Sequence, residues 1–448
     1  MRTTRSRIRR AASGLALAAA AASPAAALAA GFAIIEQSVS GLGNAFAGGA
    51  ASASDASTVF FNPAGLTHLE DSEFEFAAHI ISPSTTFTDE GSNIAGVFPL
   101  SGGDGGDAGV VALVPNLYYT RKLDERLYFG LGINAPFGLK TEWDRGWVGR
   151  YHAVESEVKT INIQPSFAYR AGDHLSVGLG FDLQYIEGTL SNAVDFASVC
   201  QGFADFGFPT ASCAGLPQSS DGFAEVTGSD WSGGLNLGLL YDIDDATRVG
   251  LHYRSPVFQN LSGDARFENV PAELLAIGAF VDTDASLDIA LPESVSGSIW
   301  RQVNDRLALM ADITWTRWSR FDRLVIDYDQ GLQGNTVQAE NWDDSLRYAI
   351  GADYAWNDQW TLRAGLAYDE TPIPSAAERT PRIPGNDRTW VAIGAGYRVA
   401  DTLSFDAAYA HLFVDQTPIE NTNALGATLV GTFDSSVDIL SAQLNWRF

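Results

Sequence analysis

The sequence is poor in basic residues. Its 28 lysines and arginines are outnumbered by 54 aspartates and glutamates, and the formal net charge is −26 at pH 7. Nucleic-acid binding depends on basic side chains that neutralise phosphates, and attachment to anionic lipid depends on a polybasic surface. We therefore expect neither a nucleic-acid-binding protein nor a polybasic membrane anchor.

Long apolar runs are also lacking. A helix needs about 20 apolar residues to cross a bilayer, and no comparable stretch follows the N-terminal region. The six histidines are scattered without the spacing of a metal site, and the G-x-S-x-G pattern of a serine hydrolase is absent. The sequence thus indicates no catalytic residue, no metal and no cofactor.

The N-terminus has the pattern of a secretory signal. Five arginines precede a short apolar run over residues 14–22, and a small-residue tract ends at Ala27-Leu28-Ala29. This order is typical of a cleaved bacterial signal peptide, so we expect residues 1–29 to be removed. A transmembrane anchor is the alternative, but the run is too short. Removing five of the 28 basic residues leaves 23 against 54 acidic ones, a net charge of −31.

Only two cysteines are present, Cys200 and Cys213. An even number of cysteines in an exported chain favours a disulfide, which here would close a short loop. Two free thiols are the alternative.

Alternation of apolar and polar residues dominates the chain from residue 72 onward. The alternating runs cover roughly ten to sixteen residues, whereas strands of soluble sheets usually have five or six. One run places six apolar residues on a single face: Leu175, Val177, Leu179, Phe181, Leu183 and Tyr185.

The gaps between these runs alternate in length. Short turns lie near residues 123–125, 171–173, 242–245, 303–305, 357–358 and 400–401. Long polar gaps lie near residues 89–109, 139–156, 191–228, 265–287, 329–340, 372–385 and 416–432. Six short and seven long connections give fourteen strands, with both termini on the short-turn side. An all-β, fourteen-stranded antiparallel transmembrane barrel over residues 72–448 is therefore predicted.

Aromatic residues at strand ends favour the same interpretation. Four of them flank the short-turn side, as in an interfacial girdle: Trp356, Trp360, Trp446 and Phe448. A C-terminal aromatic such as Phe448 is typical of proteins that the barrel-assembly machinery inserts. We expect a protein of the outer membrane of a Gram-negative bacterium, surrounded by outer-membrane lipids and lipopolysaccharide.

The segment over residues 30–71 does not alternate. It is rich in glycine, alanine and serine, and it contains the turn Asn62-Pro63-Ala64. A fourteen-stranded barrel has a lumen too wide for its own side chains to fill. We expect this segment to act as a plug in the lumen, with the Asn62 turn leading into the first strand. A disordered periplasmic tail is the alternative, although the segment is too apolar for one.

Several stretches together carry a family resemblance. They are SGLGNAFAGGA, FFNPAGL, LPESVSGSIWRQV, TWTRWSRFDRL, RYAIGADYAWNDQWTLRAGLAYDETPIP and IPGNDRTWVAIGAGY. They are similar to the FadL-type outer-membrane channels, the OmpP1/FadL/TodX family, which carry long-chain fatty acids and aromatic or aliphatic hydrocarbons. The resemblance implies a monomeric barrel with an N-terminal hatch. It also implies passive uptake, a ligand-capturing groove in outer loops 3 and 4, and a sideways exit through a kinked third strand.

Apolar residues in two predicted outer loops fit such a groove, because exposed apolar patches mark binding sites. Packing of these side chains against one another is the alternative. The third loop contributes Phe203, Phe206, Phe208 and Leu216, and the fourth contributes Leu274, Leu275, Ile277 and Phe280.

The third predicted strand contains Pro136 and Gly138. Proline has no N–H for the strand ladder, and glycine permits a bend. A lateral opening for an apolar ligand is therefore predicted at these two residues. The alternative is that Pro136 only ends the strand.

The headgroup site departs from the fatty-acid transporters that the chain resembles. Val325 stands where a lysine is expected, and Ser191 and Asn192 stand where a basic residue is expected. A buried carboxylate without a cation is costly, so a neutral hydrocarbon gains weight as the substrate. Arg323 or Arg347 could substitute as the headgroup contact.

Two other functions stay open on the sequence alone. One is an outer-membrane barrel enzyme of the lipase or protease type, with a Ser-His-Asp set on the barrel wall. The other is a porin for polar solutes. A plug and apolar outer loops would both disfavour a porin.

Overall fold

The computed structural model describes residues 31–69 and 72–448. The predicted signal peptide, residues 1–29, lies outside the described residues, and so does the predicted junction between plug and barrel at Glu70 and Asp71.

Fourteen antiparallel strands form a closed barrel, as predicted. The first strand pairs with the last from Glu73 opposite Arg447 to Asp89 opposite Gly431, so the sheet has no free edge there. In chain order the strands are Glu73–Asp89; Ala112–Lys122; Leu127–Asn134 with Gly138–Glu142; Glu155–Arg170; Leu175–Asp195; Asp221–Asp244; Thr247–Arg254 with Val257–Glu268; Thr283–Leu291 with Ser294–Asn304; Leu307–Thr316 with Arg323–Tyr328; Thr336–Ala339 with Ser345–Ala355; Trp360–Asp369; Arg388–Ala400; Leu403–Val414 with Thr417–Thr422; and Ala427–Arg447.

The alternation of the sequence becomes the two faces of the wall. In the fifth strand, Leu179, Phe181 and Leu183 point outward and are exposed, whereas Asp182 and Gln184 point inward and are buried. The outer surface is therefore apolar and the lumen polar, as a membrane barrel requires. Among the described residues, no helix is both long and apolar enough to cross a membrane.

Several outer connections are shorter than the sequence indicated. The prediction of a long gap near residues 416–432 is wrong. The thirteenth strand reaches Thr422 and the fourteenth begins at Ala427, which leaves a four-residue turn. The connection predicted over residues 191–228 is also shorter, because the fifth strand continues to Asp195 and the sixth strand begins at Asp221. Polar residues were interpreted as loop, but a strand that rises above the membrane can be polar on both faces.

Six strands are interrupted part-way up the wall. The third breaks after Asn134, the seventh after Arg254, the eighth after Leu291, the ninth after Thr316, the tenth after Ala339 and the thirteenth after Val414. The first three breaks each contain a proline, which cannot donate to the ladder. The ninth is filled by a 3-10 turn, Trp318–Arg320.

The N-terminal segment lies inside the barrel. It consists of four short helices, Val39–Gly43, Gly49–Ser52, Thr58–Phe61 and the 3-10 helix Pro63–His68. These helices and the chain between them are mostly buried and contact strands around the whole circumference. This placement is consistent with the predicted plug.

Small residues allow that close fit. A Cβ on Gly365 of the eleventh strand would lie 2.1 Å from the Asn44 backbone, so only glycine permits the contact. Wall arginines complete it by donating to carbonyl oxygens of the segment: Arg254 to Phe60 and Arg347 to Ala45.

Candidate functional site

An apolar cavity lies high in the lumen. It has about 770 Å³ of space not occupied by protein atoms, and its surface is almost entirely apolar. The ionisable residues on its lining are Glu157, Glu340 and Arg382. Its apolar lining comes from strands three to nine and the N-terminus, chiefly Phe32, Leu139, Val158, Ile186, Leu190, Leu261, Leu287, Ile289, Phe321, Leu324 and Ile326.

A second cavity lies between the N-terminal segment and the wall. It has about 980 Å³ of unoccupied space and a mixed polar and apolar lining. Ile34, Phe46 and Phe61 of the segment form one side, and Pro136 and Phe137 of the third strand form part of the other. The second cavity therefore reaches the break in the third strand.

An aromatic cluster around Phe32 lies between the two cavities. Phe32 and Phe321 line the first cavity, Phe137 lines the second, and Trp318 lines the second as well. The ring centroid of Phe32 lies 4.9 Å from Trp318, 5.4 Å from Phe321, 5.9 Å from Phe137 and 6.2 Å from Trp342. The Phe32 ring therefore contacts rings on the linings of both cavities.

Gly31 makes this arrangement possible. Its φ is +63°, and a Cβ there would lie 2.5 Å from the Trp318 ring. A residue with a side chain would be strained at this φ and would displace Trp318.

The break in the third strand is held from inside by the N-terminus. The Ile34 N–H donates to the Pro136 oxygen at 2.8 Å, and the Gly138 N–H donates to the Phe32 oxygen at 2.9 Å. The side chain of Gln37 donates to the Ala135 oxygen at 2.9 Å. The N-terminus thus replaces ladder partners that the wall does not supply.

On its other side the break faces an unpaired part of the second strand. Pairing between the second and third strands stops at Leu117 opposite Ile133, and the next bridge joins Gly109 to Thr141. Residues 112–116 pair with the first strand alone. Beside Pro136, the second and third strands are therefore not joined by a backbone ladder.

A wide outer cavity lies among the loops beside the apolar cavity. It has about 1940 Å³ of unoccupied space. The two share Leu190, Val226, Leu324, Ile326 and Arg382 on their linings, so they adjoin at these residues.

The eight predicted groove residues divide between the interior and the surface of the loops. Leu274 is fully buried, and Phe280 packs on Phe196 and lines the outer cavity. Phe203 and Phe208 pack on each other, and Ile277 packs against the same loop core. Four of the eight are exposed at the loop surface, by 87%, 72%, 48% and 38%: Phe206, Leu216, Leu275 and Phe208.

The loop core includes a disulfide between Cys200 and Cys213. Cys200 is fully buried beside Val199, Phe196 and Leu274. The bridge links the middle of helix Phe196–Asp205 to the residues that follow the helix.

The Asn62-Pro63-Ala64 turn does more than redirect the chain. The Asn62 carboxamide accepts from the Ala64 N–H at 3.0 Å, which caps the helix starting at Pro63. Its Nδ2 donates to the Ala50 oxygen at 2.6 Å and to the Leu239 oxygen of the wall at 3.0 Å. One side chain therefore links two parts of the segment to the sixth strand.

The two arginines predicted as headgroup contacts do not line the apolar cavity. The Arg323 side chain is 65% exposed and pairs with Asp322. Val325 alternates with Leu324 and Ile326, which line the cavity, so it faces away. Arg347 lines the second cavity and donates to the Ala45 oxygen.

The sequence analysis missed Arg382, the arginine that does line the apolar cavity. Its guanidinium contacts the Ser191 oxygen and the Asn192 side chain, the two positions where a basic residue was expected and not found. The signal in the sequence was slight: Arg382 stands between Pro381 and Ile383 in the loop after the eleventh strand.

Within residues 31–69 and 72–448, no group of three or more His, Cys, Asp or Glu side chains is placed to hold a metal ion. The buried histidines are accounted for by their packing. His152, for example, lies beside Arg382, and burial lowers its pKa to about 3, so its ring is neutral.

Comparison with known proteins agrees with this architecture. Residues 18–448 match the family model described as "Outer membrane protein transport protein (OMPP1/FadL/TodX)". The chain is 32% identical over 394 residues to the long-chain fatty acid transport protein of Escherichia coli O6:H1, covering 85% of this chain and 87% of that protein.

Two solved structures show the same fold. A FadL homologue of Pseudomonas aeruginosa has a TM-score of 0.85 and 28% identity, covering 94% of this chain and 100% of that one. The toluene transporter TbuX of Ralstonia pickettii has a TM-score of 0.65 over 93% of this chain and 100% of its own. At 21% identity, the second likeness concerns the fold alone. The chain belongs to the OMPP1/FadL/TodX family of outer membrane transport proteins.

Proposed function

We propose that this protein carries hydrophobic compounds passively across the outer membrane, from its outer loops, through the lumen, to an exit in the barrel wall. Membership of a transport family supports the class of function. The observation that carries the route is the series of cavities. The outer cavity adjoins the apolar cavity. The aromatic cluster around Phe32 separates the apolar cavity from the second cavity, which lies at the break in the third strand.

Capture begins at the exposed apolar side chains of loops 3 and 4. Phe206, Leu216 and Leu275 project from the surface of these loops. Apolar surface removed from water stabilises a complex by about 25 cal/mol per Å², so these side chains suffice for a weak first contact. The packed residues beneath them, such as Leu274, hold the loops in place rather than touch the ligand.

Passage from the apolar cavity to the second cavity displaces Phe32, whose ring contacts rings on both linings. Its backbone oxygen accepts from Gly138, and its ring fills the space between Phe137 and Trp318. A ligand that displaces this ring therefore also disturbs the hydrogen bonds that hold the third strand. Entry into the cavity and opening of the wall are coupled through one residue.

The exit is lateral. An apolar ligand that leaves beside Pro136 reaches the lipid without crossing water, because residues 112–116 do not pair with the third strand. Leaving downward would take the ligand past Ser40, Asp55 and Ser57, which are polar and hydrogen-bonded to one another. Transfer of an apolar chain into such surroundings is unfavourable.

The test is the double variant Pro136→Val, Gly138→Val, which adds an N–H and stiffens the third strand. We expect uptake of hexadecane and palmitate by cells lacking their own transporter to fall at least about tenfold. Binding to the purified protein should change less than about threefold, since loops 3 and 4 are untouched. A tenfold loss of rate corresponds to about 1.4 kcal/mol in the barrier.

Pro256→Val is the matched control, because Pro256 sits in the break of the seventh strand. It should leave uptake unchanged. Heat-dependent mobility on gels establishes that each variant has folded. Wild-type uptake by a folded double variant would place the exit elsewhere.

A further inference from the structure

The wall also lacks a continuous ladder on the line between the eighth and ninth strands. Pairing of these two strands stops at Leu287 opposite Ile326 and resumes at Ser294 opposite Thr316. Among the residues that the structure describes, none between these two points has a ladder partner across the line, which we call the seam. Backbone groups without partners are costly beside lipid. The seam is therefore a weak line in the wall.

The two strands remain paired on the sides that face away from the seam. Leu291 of the eighth strand is opposite Val257 of the seventh. On the ninth strand, the Asp322 oxygen accepts from the N–H groups of Glu340 and Asn341, each at 2.8 Å. The seam can therefore widen without loss of the pairing on either side of it.

The apolar cavity lies directly behind the seam. Ile289 of the eighth strand and Phe321 and Leu324 of the ninth line this cavity. Leu291 is fully buried and belongs to the same hydrophobic cluster as Phe321 and Leu324. A ligand in the apolar cavity thus contacts residues on both sides of the seam.

On the outside, the seam lies at the outer border of the apolar band. Phe258 of the seventh strand, opposite Ala290, is 61% exposed. The next outward positions are the exposed polar residues Asn260 and Asp288, which share a hydrogen bond. An opening at this height would let an apolar compound pass from the cavity to lipid acyl chains without crossing water.

One carboxylate closes the seam from outside. The Glu293 Oε1 accepts from Arg317 Nη1 at 3.1 Å and from Arg320 Nη2 at 2.8 Å, and its Oε2 accepts from Arg320 Nε. Its backbone oxygen accepts from the Arg317 N–H at 3.0 Å. Bidentate pairing of an arginine with a carboxylate is among the strong hydrogen-bonded contacts. Glu293 of the eighth strand therefore holds the 3-10 turn that fills the ninth-strand break.

We propose that the seam is a second lateral opening of the apolar cavity, and that Glu293 keeps it closed through its ion pairs with Arg317 and Arg320. Apolar compounds leave the cavity through the seam into the outer leaflet when these pairs are broken. The inference rests on the proposed transport function, to which it adds a second exit. The Phe32 ring lies 5.4 Å from that of Phe321, so a ligand that displaces Phe32 also disturbs the inner side of the seam.

Labelling of one buried cysteine tests the role of Glu293 without measuring transport. The two native cysteines are bonded to each other, so Leu291→Cys introduces the single free thiol. In proteoliposomes, N-dodecylmaleimide dissolved in the lipid should label this position slowly. Adding Glu293→Gln should accelerate labelling at least about tenfold, because the open population follows the free energy of local opening. Arg320→Gln should have the same effect.

Arg323→Gln is the matched control, because Arg323 lies in the same segment but pairs with Asp322 instead of Glu293. It should leave labelling of Leu291→Cys unchanged. Val59→Cys, at a fully buried position of the N-terminal segment, reports general loosening and should stay unlabelled in every background. Heat-dependent mobility on gels establishes folding. Unchanged labelling in the folded variants, or an equal rise at Val59→Cys, would overturn the proposed closure.

Uptake of hexadecane by cells tests the route. In the Pro136→Val, Gly138→Val background, which blocks the third-strand exit, adding Glu293→Gln should raise uptake at least about threefold. Adding Arg323→Gln should not raise it. Faster labelling of the seam without any rise in uptake would contradict the second exit, because the seam would then open without carrying ligand.

Failure of the second exit and failure of the transport function are distinguishable. If wild-type cells take up no hexadecane, the transport function fails, whereas labelling of Leu291→Cys still shows whether the seam opens. If wild-type cells take up hexadecane, and Glu293→Gln changes neither labelling nor uptake, only the second exit fails.

Discussion

At the scale of single residues, Asn62 shows how one side chain fixes a segment inside the barrel. Its carboxamide caps the helix at Pro63 and reaches both Ala50 and the wall at Leu239. All three hydrogen bonds are buried or partly buried. Since no water replaces them at once, their loss costs more than the loss of exposed hydrogen bonds.

Asn62→Ala should therefore loosen the N-terminal segment without unfolding the barrel. We expect the free energy of local opening over residues 50–66 to fall by about 1–3 kcal/mol, from a lost cap and lost buried hydrogen bonds. Hydrogen exchange of those amides, followed by mass spectrometry, measures this. Asn93→Ala, in an exposed loop turn, is the control and should leave exchange in the segment unchanged. Equal protection in Asn62→Ala and wild type would contradict the anchoring role.

Residue-scale features were the least predictable from the sequence. The pattern identified Pro136 and Gly138 because proline and glycine have backbone consequences that do not depend on surroundings. The placement of Arg382 on the cavity lining depends on the groups that bind its guanidinium, and those come from the fourth, fifth and tenth strands. No local pattern encodes that set, and Arg323, a more obvious candidate, proves to be exposed.

At the scale of elements, glycines of the wall decide where the N-terminal segment can sit. A Cβ on Gly238 of the sixth strand would lie 2.0 Å from Asn62 Oδ1, and one on Gly178 would lie 2.3 Å from the Ala64 nitrogen. Such distances are impossible, so these strands touch the segment only because they lack side chains there.

Gly238→Ala should push the segment away from the sixth strand while leaving the barrel intact. Overpacking of this kind costs about 1–3 kcal/mol, and we expect faster proteolysis within residues 50–66. Gly297→Ala is the matched control, because the nearest atom to its added Cβ is 3.9 Å away. If both variants resist proteolysis as wild type does, the contact is not restrictive.

Elements that alternate strictly were predicted well, and interruptions were not. The fourteen strands follow from a period of two over long runs, since each run has one face in lipid and one in the lumen. The breaks at Pro256 and Pro292 were missed, because alternation resumes after each with its phase shifted. The outer loop lengths were overestimated for a related reason: above the membrane, neither face needs to be apolar.

At the scale of the whole molecule, Phe32 contacts two breaks in the wall, one in the third strand and one in the ninth. Its ring contacts Phe137 in the break of the third strand and Trp318 and Phe321 in the break of the ninth. Outside the ninth-strand break, Glu293 pairs with Arg317 and Arg320 and closes the surface there. Displacing the N-terminus thus releases both breaks from inside, while the ion pairs still hold the ninth strand. The ion pairs of the third strand, from Lys140 to Glu155 and Glu157, join it to the fourth strand, and among the described residues none joins it to the second. We therefore expect the wall to open between the second and third strands.

We expect the barrel to stay closed without its N-terminal segment, and this gives the final prediction. Strands pair with strands around the ring, including the first with the last. Removing Phe32 to Phe61 takes away the partners of inward groups such as Arg254 and Arg347, but water would then enter and solvate them. The deletion variant should therefore insert as a folded barrel. In planar bilayers it should conduct ions at least about tenfold better than the intact protein, because a fourteen-stranded lumen without a plug is a water-filled pore.

Phe32→Ala is the control for this deletion. It removes one ring between two cavities but leaves the segment in place, so its ion current should stay near that of wild type. Equal conductance of the deletion variant and the intact protein would show that the segment does not block the lumen. A large steady current through the intact protein would instead favour a porin for polar solutes.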